Sequence, residues 1–173
     1  LLGKLVAHVA VLGLAIVAGY GTAAVIAFAT DPNASAGFAA LWRLTVTSIL
    51  LGATFLGIGY VVSSMARRAS GAAGLAIGVW LGLVVLYDLA LLAAVVADDG
   101  GMFTKDVFPY ALLANPADAF RLFNLAASEA TMAASGVGSA AGAIPQWQSL
   151  FSILLWPVVA LGLATVFFRK VEP

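Results

Sequence analysis

Residues able to do chemistry are few in this chain, and one stands apart. Asp88 lies in an apolar run, residues 71–97, as the single charged side chain. A carboxylate at bilayer depth costs about 2.5–3.5 kcal/mol on insertion scales, so it marks a buried polar contact or a functional position. General acid–base catalysis would need a second titratable group at a matching depth. No other acid and no His is so placed, which argues against an intramembrane enzyme. Cys is absent, which removes disulfides, cysteine-ligated clusters and thiol nucleophiles. His8 sits one turn from Lys4 and reads as an interfacial polar residue rather than a ligand. Met65, Met102 and Met132 are scattered over different segments. Soft metals require clustered sulfur or imidazole, so no metal site is expected. No Gly-x-x-x-x-Gly-Lys-Ser/Thr motif is present, so the chain carries no P-loop for ATP.

Four apolar runs must position these residues. Hydrophobic residues make up 63% of the chain and charged residues 9%. The mean hydropathy is +1.08. Soluble domains carry about 25% charged residues. Spans are expected at residues 5–29, 40–66, 72–97 and 150–168, each long enough to cross a bilayer with some tilt. The fold class is all-α, a polytopic helical membrane protein forming one membrane domain over residues 1–173. The net charge of +0 provides no basic patch for nucleic acid. The opening Leu1-Leu2-Gly3-Lys4 has no initiator Met and no signal-peptide pattern, and it predicts a piece of a longer polypeptide.

Charge orients the spans. Lys4, Arg67, Arg68, Arg169 and Lys170 share one side if all four runs cross. Asp31, Asp98 and Asp99 share the other. The positive-inside rule puts the basic set in the cytoplasm. Trp42 and Trp147 open spans two and four at the outer interface, where amphipathic rings are favoured. Arg43 breaks the pattern. It is expected to snorkel outward or to bond phosphate or backbone groups.

Within the bilayer, Asp88 needs a partner. Ser48 on span two lies at nearly the same depth, so Ser48 and Thr45 are the expected hydrogen-bond partners. Two roles stay open for Asp88: a satisfied structural acid, or a group on a substrate path or gate together with Ser48 and Thr45. Gly74, Gly78 and Gly82 recur every fourth residue on one helix face, which lets another backbone come close. Static packing within one subunit and a moving or homodimeric seam are equally compatible with that stripe. Pro157 removes a backbone hydrogen bond in span four and is expected to kink it.

The long outer segment, residues 98–149, carries its own helix signal. Asn115 is a good N-cap, Pro116 suits the first helical position, and Asp118 complements the helix dipole. A helix is predicted over 116–134, with Phe120 and Phe123 on one face and Arg121 beside it. Bounded in this way and too short to cross, it reads as re-entrant or interfacial. Residues 136–142 form a small-residue, flexible stretch.

The short Arg67-Arg68 loop, the glycine-rich third run, Leu86-Tyr87-Asp88-Leu89, the stretch Asn115-Pro116-Ala117-Asp118-Ala119-Phe120-Arg121-Leu122 and one final span together resemble the permease subunit of an ABC-2-type transporter. Residues 115–122 are the most specific part. Within that family the likeness is to permeases of nitrous oxide reductase maturation systems. Such permeases have six spans, so these four correspond to spans three to six. The resemblance implies a multi-pass protein of the bacterial inner membrane that pairs with a second permease copy. It implies a cytoplasmic ABC ATPase subunit that binds ATP and Mg and is contacted through Arg67 and Arg68, while the permease itself holds no cofactor and is not catalytic. It implies a periplasmic accessory protein on the outer face, and a role in copper-sulfide centre assembly. An ABC-2-type exporter of another substrate and a non-transporting membrane scaffold are the alternatives.

Overall fold

The computed structural model describes residues 2–31, 34–66, 68–126 and 144–169. All regular elements among them are helical. Helix α1 spans Leu2–Thr30, and a 3-10 turn at Ala34–Gly37 leads into α2, Phe38–Met65. The third long rod comprises α3 (Ala69–Leu81), a π-helical segment (Gly82–Leu86) and α4 (Tyr87–Asp98). A second π-helical segment, Phe103–Val107, precedes α5 (Phe108–Leu113) and α6 (Pro116–Leu125). The last helix, α7, is Gln146–Arg169 and stays helical through Pro157.

Four of these rods are long and apolar enough to cross a membrane: Gly3–Thr30, Ala34–Met65, Ser70–Asp98 and Gln146–Phe167. Each contains the run predicted for it, within a few residues at the ends. Helices α5 and α6 have six and ten residues. At about 1.5 Å per residue neither reaches across the roughly 30 Å hydrocarbon core. The predicted helix over 116–134 is therefore shorter, ending at Leu125 with Ala126 as its C-cap, while residues 127–143, including the stretch 136–142, lie outside the described residues.

Helices α2 and α7 form the centre of the bundle, and α1 leans on α2. Helices α2 and α7 approach closely at Gly57. A Cβ there would stand 2.8 Å from Ala160 Cβ and 3.0 Å from the Ala160 carbonyl carbon. Ala53, Ala160 and Ala164 are buried, so small residues line both helices. The stripe singled out from sequence behaves differently. A Cβ on Gly74, Gly78 or Gly82 would meet nothing within 4 Å. Among the described residues, close packing of that face against another helix is therefore not found. Glycine permits close approach, but whether it happens depends on which way the rod faces, and this rod meets α2, α5 and α6 on other sides.

At the end of the bundle carrying Asp98 and Asp99, two small apolar clusters hold α6 in place. Leu91, Leu112, Leu122 and Ile144 join α4, α5 and α6. Ala119, Phe123 and Ile153 join α6 to α7, with Leu50 of α2 against them. The turn leaving α4 uses two left-handed residues, Asp99 (φ 45°) and Gly100 (φ 76°). Asp98 Oδ2 accepts from the Thr104 N–H at 2.8 Å, closing that turn.

Candidate functional site

Helix α6 starts as its sequence prescribes. Asn115 is extended (φ −107°, ψ 128°) and its Oδ1 accepts from the Ala117 N–H at 2.8 Å. Pro116 follows at the first helical position, where no N–H is needed. Asn115 is only 1% exposed, and its second function was not legible from the cap motif. Its Nδ2 donates to Leu83 O at 2.6 Å, inside the π-helical segment of the third rod. There the Tyr87 N–H reaches back five residues to Gly82 O. Such a widened turn disturbs the regular carbonyl ladder and is common at functional positions. Arg121 Nη2 donates to the neighbouring carbonyl, Val84 O, at 3.4 Å.

Arg121 also bridges two acids. Nη1 donates to Asp88 Oδ2 and, at 2.9 Å, to Asp118 Oδ1. The Arg121 and Asp88 side chains are 42% and 37% exposed, whereas that of Asp118 is 4% exposed. The bridge is thus open on one flank and closed on the other. Asp118, expected as an ordinary dipole-complementing residue, is buried instead. Desolvation first, then its neighbour Asp88, push its carboxyl up from 3.8 to about 7, against the pull of Arg121.

The predicted partners of Asp88 are corrected by this geometry. Ser48 faces Tyr20 of α1, with Oγ 3.4 Å from the tyrosine hydroxyl. The Thr45 hydroxyl donates to Leu41 O at 2.8 Å in its own helix. Depth counted along a rod gives height but not direction around it, and at the height of Asp88 the polar neighbour is α6. The broader requirement, that the carboxylate meet a polar group, is satisfied by Arg121.

A second set of contacts ties α6 to α2. Arg43 Nη2 donates to Asn124 O at 3.0 Å, and its guanidinium lies 5.1 Å from the centre of the Phe123 ring. Of the expected options, Arg43 takes the backbone one. Asn124 Nδ2 donates to Thr47 Oγ1 at 3.0 Å. Helix α5 is fastened in turn: Tyr87 donates to Ala111 O and Ser152 donates to Leu113 O, both at 2.7 Å. The α5–α6 unit is therefore bonded to three of the four long rods. An apolar groove of about 680 Å³ lies beside it, between α5 and α7, with Tyr110, Trp147, Phe151 and Trp156 in its wall. None of Asp88, Arg121 and Asp118 lines that groove.

At the opposite end of the bundle, Arg68 is exposed and precedes α3 without a side-chain cap. Arg67 lies outside the described residues. His8 Nδ1 lies 2.6 Å from the Tyr60 hydroxyl, pairing α1 with α2.

Residues 1–172 match the family model described as ABC-2 family transporter protein. The chain belongs to this family. This ABC-2 chain is 40% identical, over 174 residues, to the "Probable ABC transporter permease protein NosY" of Pseudomonas aeruginosa, covering 98% of this chain and 62% of that protein. It is 39% identical to the protein of the same name from Stutzerimonas stutzeri, covering 98% of this chain and 63% of that one. The chain thus spans less than two thirds of the length of these curated relatives.

In this ABC-2 chain, loss of Arg121 should expose how the acids depend on it. Arg121→Met leaves the Asp88 and Asp118 carboxyl groups with no cation between them. Breaking a fully buried pair costs about 3–5 kcal/mol, and the exposed flank reduces this to about 1–3 kcal/mol. Adding Asp88→Asn removes one stranded charge and should recover part of the loss. Unfolding midpoints of the single and double variants measure this coupling, and strictly additive effects would show that the bridge contributes nothing.

Proposed function

We propose that this chain is the membrane core of an ABC-2-type permease that couples a partner ATPase at its basic end to events at its acidic end. The match to the family along residues 1–172 is the observation that carries this reading. The geometry supports it. The α5–α6 unit is bonded to α2, to the third rod and to α7, so displacement of those rods at one end is delivered to it at the other. ATP and Mg belong to the partner ATPase, and the permease transmits force without catalysing hydrolysis. The basic end, with Arg67 and Arg68, faces the cytoplasm of a bacterial inner membrane and receives the ATPase there. A second permease copy completes the membrane unit, and a periplasmic accessory protein docks at the acidic end. The relatives' shared name supports placing the system in nitrous oxide reductase maturation, with copper-sulfide centre assembly as its outcome.

Two measurements on the full permease test this. A cysteine at Ser70, two residues beyond Arg68, should react with membrane-impermeant reagent only after the cytoplasmic side is opened. An ATPase subunit should co-purify, and charge reversal at Arg67 and Arg68 should weaken that association. Labelling of intact cells from outside would invert the topology. A permease that purifies without any ATPase would favour a static scaffold.

A further inference from the structure

Asp118 is 3% exposed, yet one of its carboxyl oxygens is unmatched. Oδ1 accepts from Arg121, while Oδ2 is buried with no hydrogen-bond partner. An ionised oxygen in that position is costly. Its surroundings offer few ways to relieve the cost. On its own helix the facing charge is Arg121, which it shares with Asp88. From α4 come Asp88, bonded to the same Arg121 Nη1, and its chain neighbour Tyr87. The Tyr87 hydroxyl is committed to Ala111 O. Helix α2 presents Arg43, committed to Asn124 O and the Phe123 ring. Helix α5 has no charged residue, and α7 has none before Arg169. Lys105 and Asp106, in the preceding π-helical segment, are exposed. Among the described residues the cluster thus holds two acids and one base, and a single proton makes it neutral.

We propose that Asp88, Arg121 and Asp118 form a proton-binding site, in which one proton carried on Asp118 and shared with Asp88 latches α6 onto the third rod. A protonated Asp118 gains an O–H that Asp88 can accept, while Oδ1 still accepts from Arg121. Loss of the proton leaves two carboxylates on one guanidinium and loosens the latch. The inference goes beyond the permease reading, since it concerns the hold of α6 and requires neither an ATPase nor a cargo.

The sign of the pH effect follows from the direction of the shift. Burial, then Asp88, raise Asp118 from 3.8 to about 7 when α6 is docked. Docked α6 binds more protons than undocked α6 between those limits, so docking weakens as pH rises through that window and levels off above it. Hydrogen exchange at residues 119–122 reads the opening of α6 in the full permease in lipid nanodiscs, after correction for base-catalysed exchange. Opening should increase by up to about tenfold per pH unit between about pH 5 and about pH 7, then flatten. Asp118→Asn keeps a donor in place at every pH and should give a flat, protected profile. Asp88→Asn removes the neighbouring charge and should move the midpoint to lower pH. A flat wild-type profile would overturn the proposal, and so would an unchanged midpoint in Asp88→Asn. That second comparison stands even if Asp118→Asn fails to assemble.

Discussion

Gly57→Leu should prevent the chain from folding into its bundle, whereas Gly78→Leu should leave the bundle intact. At Gly57 even a methyl group would lie 2.8 Å from Ala160 Cβ and 3.0 Å from the Ala160 backbone carbon. Backbone cannot swing aside as a flexible side chain can, so α2 and α7 must separate. Among the described residues those two helices make the most extensive contact, so the displacement propagates through the centre of the bundle. Overpacking a tight interior costs about 1–3 kcal/mol, and a leucine at this contact should reach about 3 kcal/mol or more. Association of membrane helices rests heavily on close van der Waals packing, which makes a small-residue seam hard to replace. At Gly78 the added side chain meets open space. The yield of monodisperse protein in size-exclusion chromatography, with unfolding midpoints for what survives, compares the two. Equal behaviour of both variants would mean that the α2–α7 seam is not the close contact described here. Gly78→Leu also separates the two uses of its own stripe: an intact bundle that no longer pairs with another copy would mark the glycine face as an interface between chains.

Asn115→Ala should be the most damaging single change at the acidic end. It removes two bonds made by one side chain. Loss of an N-cap costs about 1 kcal/mol. Loss of the donor to Leu83 O strands a carbonyl in the π-helical segment, for about a further 1–3 kcal/mol. The expected total is about 2–4 kcal/mol, with α6 freed from the third rod. Two further variants divide the effect. Asn115→Ser retains a capping oxygen but cannot reach Leu83. Asn115→Asp also caps, but it turns an acceptor toward the carbonyl and should be no better than Ser at the clasp. Hydrogen exchange along α6, together with unfolding midpoints, reads both parts. If Ser and Asp variants match the wild type, the bond to Leu83 contributes nothing and Asn115 is a cap alone.

Much of this was legible in the residues themselves. The four rods follow from apolar length, because a bilayer requires about 20 apolar residues per crossing whatever the surrounding fold. The start of α6 follows from Asn115-Pro116, because capping is chemistry between neighbours in sequence. That Asp88 must meet a polar group follows from the cost of leaving a charge in hydrocarbon. A signal for the true helix seam was also present, in Ala53 and Gly57 on one run and Ala160 and Ala164 on another, each pair four residues apart. The longer stripe at Gly74, Gly78 and Gly82 shows the same spacing without the contact.

The tertiary structure decided which groups meet. Sequence spacing places a residue at a height along its rod, but the rotation of each rod about its axis is set by packing against all the others. Ser48 and Thr45 have nearly the right height and the wrong direction, so Asp88 turns to Arg121, 33 positions later on a helix that does not cross. The same physics buries Asp118. Its place in the first turn of α6 predicts an acid that favours the helix dipole, but whether that acid faces water depends on where α4 stands. Local chemistry made the elements of this protein; the direction in which each faces, and hence its charge cluster, arose only when the rods packed.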